Sequence, residues 1–154
     1  MPKPTMKNSS TQMAKHLNWV VSDTYMLMIK THGYHWNVTG SDFYSLHKLL
    51  EMQYTELFEA VDTIAERIRA LDFYAPGSTA AFRNHTAVKE AADNPPSANA
   101  MLKDLVKTNE QVRDRISEAR VFAGEIEDTA SEDLMNQRLA AHDKAIWMLR
   151  SQAA

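Results

Sequence analysis

Four side chains able to ligate a metal follow one stripe of a single predicted helix. His47 and Glu51 are four residues apart, as are Asp62 and Glu66, so the members of each pair meet across one helical turn. With about 100° of rotation per residue, all four lie on one arc beside the apolar stripe that begins at Leu46. Imidazole and carboxylate ligands with open positions suit Fe(II), and also Zn or Mn. The pattern therefore predicts a metal site, and the ligand types leave the choice of metal open.

These two pairs cannot reach one ion from a single straight helix. Glu51 and Asp62 are eleven positions apart in the sequence, which is about 16 Å along a helix axis. The outer residues, His47 and Glu66, nevertheless share the midpoint of the inner two, at 56.5 in the numbering. A second, antiparallel copy related by a two-fold axis at that midpoint would place His47 opposite Glu66 and Glu51 opposite Asp62. We therefore predict a site that is shared by two copies and formed twice.

Further residues support this interpretation. His35 lies just before the turn that precedes the second helix, so its imidazole and that of His47 fall at the same end of a hairpin. Tyr44 and Phe58 lie on the ligand flank, where a lone bundle would expose them, so we expect this flank to be covered. The alternative is that the acidic pairs belong to a solvated helix face. The common midpoint and the position of His35 favour the metal site.

Four segments with helical periodicity position these residues. They run from about residues 10–37, 42–71, 97–122 and 131–152, and glycine or proline residues separate most of them. The short connection at 38–41 requires an antiparallel hairpin. The connection at 72–96 is long for a bundle, and we predict a short extra helix in it, from Thr86 to Ala92. Thr129-Ala130-Ser131-Glu132 reads as a capping box for the last helix.

The predicted fold class is therefore all-α. Four helices with a long crossover between the second and third, carrying a short extra helix, resemble the ferritin-like bundle. We expect residues 1–9 to form a flexible tail and residues 10–154 a single domain, which suits a chain of 154 residues.

Composition excludes several kinds of chemistry. The chain contains no cysteine, which excludes disulfides, iron–sulfur clusters and thiol nucleophiles, and only four glycines, which excludes a glycine-rich phosphate loop. No apolar run approaches the roughly 20 residues that span a bilayer. The polar beginning of the sequence indicates no secretory signal, so a cytoplasmic location without a membrane partner is expected.

The most specific motif is the stretch around the two histidines. It comprises His35-Trp36-Asn37-Val38-Thr39-Gly40, Phe43, Leu46-His47, Glu51, Tyr54, Glu56-Leu57, Asp62 and Ala65-Glu66-Arg67-Ile68. This stretch, with Asp143-Lys144 and Ile146-Trp147-Met148-Leu149 in the last helix, resembles the Dps family of mini-ferritins. The larger ferritins use a Glu-x-x-His motif, which is absent from the sequence.

The resemblance implies a dodecameric shell, a homo-oligomer of the bacterial cytoplasm or nucleoid. It implies a ferroxidase that oxidises Fe2+ with hydrogen peroxide as the preferred oxidant and stores the ferric product, so protecting the cell and its DNA. The metal ligands would be His35, His47 and Glu51 of one chain with Asp62 and Glu66 of its two-fold mate. Glu51 departs from the family, which commonly has Asp at that position. Trp36 resembles the tryptophan that the family places beside the site, and packing is its alternative role.

Weaker signals concern pores and DNA. Asp128 and Asp133 lie in an acidic stretch before the last helix and match residues that line iron-entry pores in the family. Stabilisation of a helix N-terminus is the alternative explanation. Lys3 and Lys7 are the candidate DNA contacts, although the net charge of −3 gives no general attraction for nucleic acid. The alternative function is a nucleoid-binding or structural shell protein with little or no ferroxidase activity.

Overall fold

The computed structural model describes residues 6–153, and this part of the chain contains helices but no strand. The helices are α1 (Met6–Asn37), α2 (Phe43–Ala70), α3 (Thr79–His85), α4 (Ala98–Glu125) and α5 (Thr129–Gln152). The predicted all-α bundle of four long helices, with a long crossover that carries a short helix, is confirmed. Within the described range no helix is both long and apolar enough to cross a membrane.

The four long helices enclose one apolar core. α1 packs against α2 and α4, and α4 packs against α5. Apolar residues that recur at helical spacing along α1 are buried, namely Met13, Leu17, Val20, Leu27 and Tyr34. On α2 the predicted stripe is buried at Leu46, Leu50, Leu57, Ile64 and Ile68. Tyr54 and Val61 are only partly buried, because Gln53 and Ala60 take inner positions instead.

The short helix of the crossover does not lie where the sequence analysis placed it. Thr86–Ala92 is not helical, and α3 occupies Thr79–His85. Ser78 caps α3 by accepting a hydrogen bond from the amide of Ala81 at 3.1 Å. Downstream, the amide of Ala87 donates to the Asp23 carboxylate at 2.8 Å. Because the Ala87 amide donates to this side chain of α1, it does not join a helical hydrogen-bond ladder. Residues 86–97, which we call the strap, therefore cross α1 as non-helical backbone.

Two helix beginnings also differ from the prediction. α1 begins at Met6, so residues 6–9, assigned above to the tail, are helical. α5 begins at Thr129, and its N-cap is Asp128 rather than Thr129. The expected capping box does not form, because Glu132 pairs with Arg120 at 3.1 Å. Asp128 accepts from the Ser131 amide at 3.1 Å instead.

Candidate metal centre

His35 and His47 hold each other in place across the α1–α2 hairpin. Nδ1 of His35 lies 2.8 Å from the backbone oxygen of His47, and Nδ1 of His47 lies 2.9 Å from the backbone oxygen of His35. The two rings stack with centroids 3.8 Å apart and planes inclined by 16°. His35 is in the last turn of α1, where carbonyl groups lack an intrahelical partner, so its oxygen is available to His47.

This reciprocal arrangement fixes the tautomer of both imidazoles. A carbonyl oxygen can only accept a hydrogen bond, so Nδ1 must carry the proton in each ring. In the neutral ring, Nε2 then carries the lone pair that a metal ion would use. In protein metal sites, a ligating histidine commonly donates its other ring N–H to a backbone carbonyl group, a carboxylate or water, which fixes the ring orientation. The hairpin therefore presents two nitrogen donors whose tautomer and ring orientation are set before any metal binds.

Glu51 completes this half of the predicted ligand set, one turn further along α2. Its Oε2 accepts a hydrogen bond from Nζ of Lys48 at 2.7 Å. The pKa of Glu51 is lowered chiefly by this hydrogen bond and by the charge of Lys48, and also by the nearby His35 and His47. The carboxylate thus lies within electrostatic reach of both imidazoles. It is ionised at neutral pH, as a metal ligand must be.

Asp62 and Glu66 are exposed and lie toward the other end of α2. Within residues 6–153 of one chain, no three histidine or acidic side chains form a group that could hold a metal ion. The structure therefore brings His35 and His47 together, places Glu51 one turn further along α2, and leaves Asp62 and Glu66 apart. This separation follows from the straight helix on which they lie.

An aromatic cluster surrounds the histidine pair. The ring of His32 lies 3.9 Å from Trp36 and 4.2 Å from Tyr54, centroid to centroid. Tyr54 in turn contacts His35 edge-on at 5.1 Å. Burial and the neighbouring His35 lower the pKa of His32. Trp36 remains 63% exposed beside this cluster.

Sequence reasoning missed two residues at this site. His32 joins the aromatic cluster, and its three-residue spacing from His35 was the available signal. Lys48 was not considered, although its three-residue spacing from Glu51 is typical of a helical ion pair.

The remaining predicted residues lie elsewhere. Both oxygens of Asp128 are in use, because Oδ1 pairs with Arg67 at 2.7 Å and Oδ2 accepts from the Ser131 hydroxyl at 2.6 Å. Asp133 is exposed, and its carboxylate accepts from Gln137 at 2.9 Å. Lys3 and the side chain of Lys7 lie outside the described residues.

Comparisons with known proteins agree with this architecture. A family model for the ferritin-like domain matches residues 14–154. An uncharacterised low temperature-induced protein of Nostoc sp. is 39% identical over 139 residues, which is 88% of this chain and 76% of that protein. A DNA protection during starvation protein of Brevibacillus brevis is 33% identical over 147 residues, 95% of this chain and 98% of that one.

The structural comparison extends this likeness to the whole bundle. A Dps protein from Vibrio cholerae O1, described as a member of a broad superfamily of ferritin-like diiron-carboxylate proteins, has a TM-score of 0.90 at 28% identity. The match covers 94% of this chain and 91% of that one. The fold and the match to the family model thus define a ferritin-like protein. Within that class, the chain belongs to the Dps family.

Proposed function

We propose that this protein is a ferroxidase that oxidises ferrous iron with hydrogen peroxide as its preferred oxidant and stores the ferric product in a shell of identical subunits. The observation that carries the proposal is the His35–His47 pair, whose carbonyl-bound Nδ1 atoms leave two Nε2 donors free one helical turn from Glu51. Two oriented nitrogens and an ionised carboxylate suit Fe2+. Membership of the ferritin-like family supports iron binding and storage.

The site would be completed by a second copy of the chain. An antiparallel α2 helix, related by a two-fold axis at the midpoint of the ligand stripe, would bring its Asp62 and Glu66 to the His35–His47 pair. Both carboxylates are exposed and thus accessible to a partner. Tyr44 and Phe58, on the same flank, are 74% and 62% exposed, as expected for a surface that another subunit covers.

The proposed reaction is a two-electron reduction of peroxide. Two ferrous ions give up one electron each, the O–O bond of hydrogen peroxide breaks, and two protons convert the oxygens to two water molecules. Because both electrons are delivered at one site, no hydroxyl radical is released. The carboxylates neutralise charge on the ions, and the two imidazoles keep them in place. Zn2+ or Mn2+ would compete for the same donors.

Protection of DNA follows from this chemistry. Removal of Fe2+ and peroxide together prevents radical damage, and relatives are named for DNA protection during starvation. We propose that the assembly is a dodecamer in the bacterial cytoplasm or nucleoid. Direct DNA binding would depend on Lys3 and Lys7, which the described residues do not include.

The decisive experiment follows iron oxidation directly. Fe2+ is mixed anaerobically with the purified protein, peroxide is added at one molecule per two ions, and ferric absorbance and retained iron are measured. The wild-type protein should oxidise the iron rapidly and keep it in solution. The His47→Ala/Asp62→Ala double variant should lose rapid oxidation because a nitrogen and a carboxylate are removed from each site.

A matched variant separates this effect from general damage. Lys103→Met changes an exposed α4 residue and should leave oxidation unchanged. Wild-type rates in the His47→Ala/Asp62→Ala variant would overturn the site assignment. An inactive wild-type protein that still assembles would instead favour the structural-shell alternative.

A further inference from the structure

Of the five proposed ligands, Glu51 is the one that already faces a cation. Nζ of Lys48 lies 2.7 Å from its Oε2, so this carboxylate oxygen is already engaged by a positive charge. Lys48 directly follows His47 in the sequence, so its ammonium starts from the same turn of α2 as the proposed ligands. A positive charge therefore stands at the edge of a site that must attract positive ions.

Besides Glu51, two tyrosines lie within electrostatic reach of the ammonium. The pKa of Lys48 is raised by its hydrogen bond with Glu51 and by the charge of that residue, with smaller effects from Tyr44 and Tyr54. Tyr54 is the residue that contacts His35 edge-on. Lys48 therefore lies on the ligand face of α2, at a half-exposed position beside Glu51.

Stabilisation of the fold does not account for this ion pair. The side chains of Lys48 and Glu51 are 52% and 41% exposed, and exposed pairs of this kind contribute little to stability. The same exposure makes the pair easy to open, since water can solvate the ammonium as it leaves. The Lys48–Glu51 pair contributes little to stability, but it engages an oxygen of a proposed ligand. Its loss should therefore change metal binding more than folding.

We propose that Lys48 is a positioning residue that occupies the cation position at Glu51 in the metal-free protein and is displaced when a divalent ion binds. The inference rests on the proposed function and names a residue that tunes the same site. Lys48 keeps the Glu51 carboxylate turned toward the site and offsets one negative charge while no metal is present. It also competes with the incoming ion, so the site binds ions weakly enough to exchange them.

A redox-inert ion tests this competition without relying on activity. Binding of Zn2+ to the assembled protein is measured by calorimetry at fixed ionic strength for wild type, Lys48→Met, Lys48→Arg and the control Lys103→Met. Lys48→Met removes the competing charge at nearly constant size, so it should bind Zn2+ roughly five- to tenfold more tightly. Lys48→Arg keeps the ion pair and should bind as wild type does. Lys103→Met has the same change in net charge at a distant helix and should leave the affinity unchanged.

The outcomes separate this inference from the proposed function. Zn2+ binding that His47→Ala abolishes but Lys48→Met leaves unchanged, or weakens, would overturn the competition while the site itself stands. Zn2+ binding that His47→Ala does not alter would overturn the site, and the role of Lys48 with it. Circular dichroism of each variant checks that the helices are retained.

Discussion

The imidazoles of His35 and His47 are each oriented by a hydrogen bond to a backbone carbonyl group. Each ring uses the chain segment that carries the other, so the hairpin and the two donors form as one unit. A substitution at either histidine therefore removes one donor and the ring that stacks on its neighbour, while the neighbour's Nδ1 keeps its carbonyl partner. This explains why single substitutions here are expected to affect metal binding strongly while the distant core is unaffected.

A different histidine, His142, is buried in the bundle and makes stability depend on pH. Its Nδ1 donates to Oδ1 of Asn109 at 2.9 Å, and Arg138 lies 3.5 Å from its Nε2. Burial, with added repulsion from Arg138 and Arg113, lowers the pKa of His142 to about 3. In the unfolded chain the imidazole has a pKa of about 6.5. Between these two values the unfolded state binds more protons than the folded state.

We therefore predict that the free energy of unfolding falls as the pH is lowered from about 6.5 toward 3, by up to about 1.4 kcal/mol per pH unit from this group. Urea unfolding at a series of pH values measures the slope. His142→Gln keeps polar atoms but cannot titrate, so it should unfold more easily at neutral pH and show a shallower slope. An unchanged slope in that variant would contradict the assignment.

At the scale of elements, the crossover between α2 and α4 is held by one carboxylate of α1. The fully buried Asp23 accepts from the Thr86 hydroxyl at 2.7 Å and from the Ala87 amide at 2.8 Å. Nη1 of Arg115 from α4 lies 3.3 Å from its other oxygen. Phe82 of α3 stacks on Tyr25 with centroids 4.4 Å apart. These contacts join the strap to both long helices beneath it.

Asp23→Ala should destabilise the protein by about 3–5 kcal/mol, because it leaves the Thr86 hydroxyl and the Ala87 amide without their charged acceptor and removes the carboxylate that pairs with Arg115. Chemical denaturation measures this loss, and limited proteolysis should cut first within residues 86–97. Asp114→Ala, at an exposed position of α4, should change stability by less than about 0.5 kcal/mol. A loss below about 1 kcal/mol in Asp23→Ala would show that the strap is held by other contacts.

At the beginning of α5, two carboxylates that the sequence analysis grouped together have different environments. Asp128 caps the helix and pairs with Arg67, whereas Asp133 is exposed. We predict that Asp133→Asn slows iron oxidation at low Fe2+ concentration without loss of stability, since an exposed carboxylate attracts cations toward the entry pore. Asp128→Ala should instead cost about 1–2 kcal/mol as a lost cap. Initial rates and unfolding midpoints distinguish the two, and an unchanged rate in Asp133→Asn would remove it from the entry path.

At the scale of the whole molecule, the proposed site belongs to a pair of chains, and subunit mixing tests this directly. His47→Ala and Asp62→Ala damage opposite halves of the site. In a dimer with one subunit of each kind, one site contains both substitutions and the other contains neither. Random mixing should thus restore about one quarter of the wild-type sites, although each variant alone is inactive.

The measurement is iron oxidation by proteins that are co-expressed with two different tags and purified for both. A mixture of His47→Ala with His35→Ala is the matched control, because both substitutions fall in the same half and every site remains damaged. Recovery in that control, or none in the His47→Ala and Asp62→Ala mixture, would contradict a site shared across a two-fold axis.

The sequence was most informative where structure depends on neighbours within a few turns. Apolar spacing in the four long segments predicted the helices, because a helix buries one face and that face repeats every three or four residues. The same periodicity placed His47 and Glu51 beside the core stripe. The predicted crossover helix was misplaced, because the amide of Ala87 donates its hydrogen bond to a carboxylate 64 positions earlier in the chain. Local spacing does not show such a contact.

The sequence by itself therefore determined the fold class, the helix faces and the stripe of candidate ligands, because each is a matter of local periodicity. Only the tertiary structure decided the tautomers of His35 and His47, the engagement of Lys48 with Glu51, and the structural role of Asp128. These depend on which atoms the folded chain brings within hydrogen-bonding distance. Such contacts form between segments or between particular rotamers, and residue spacing alone does not specify them.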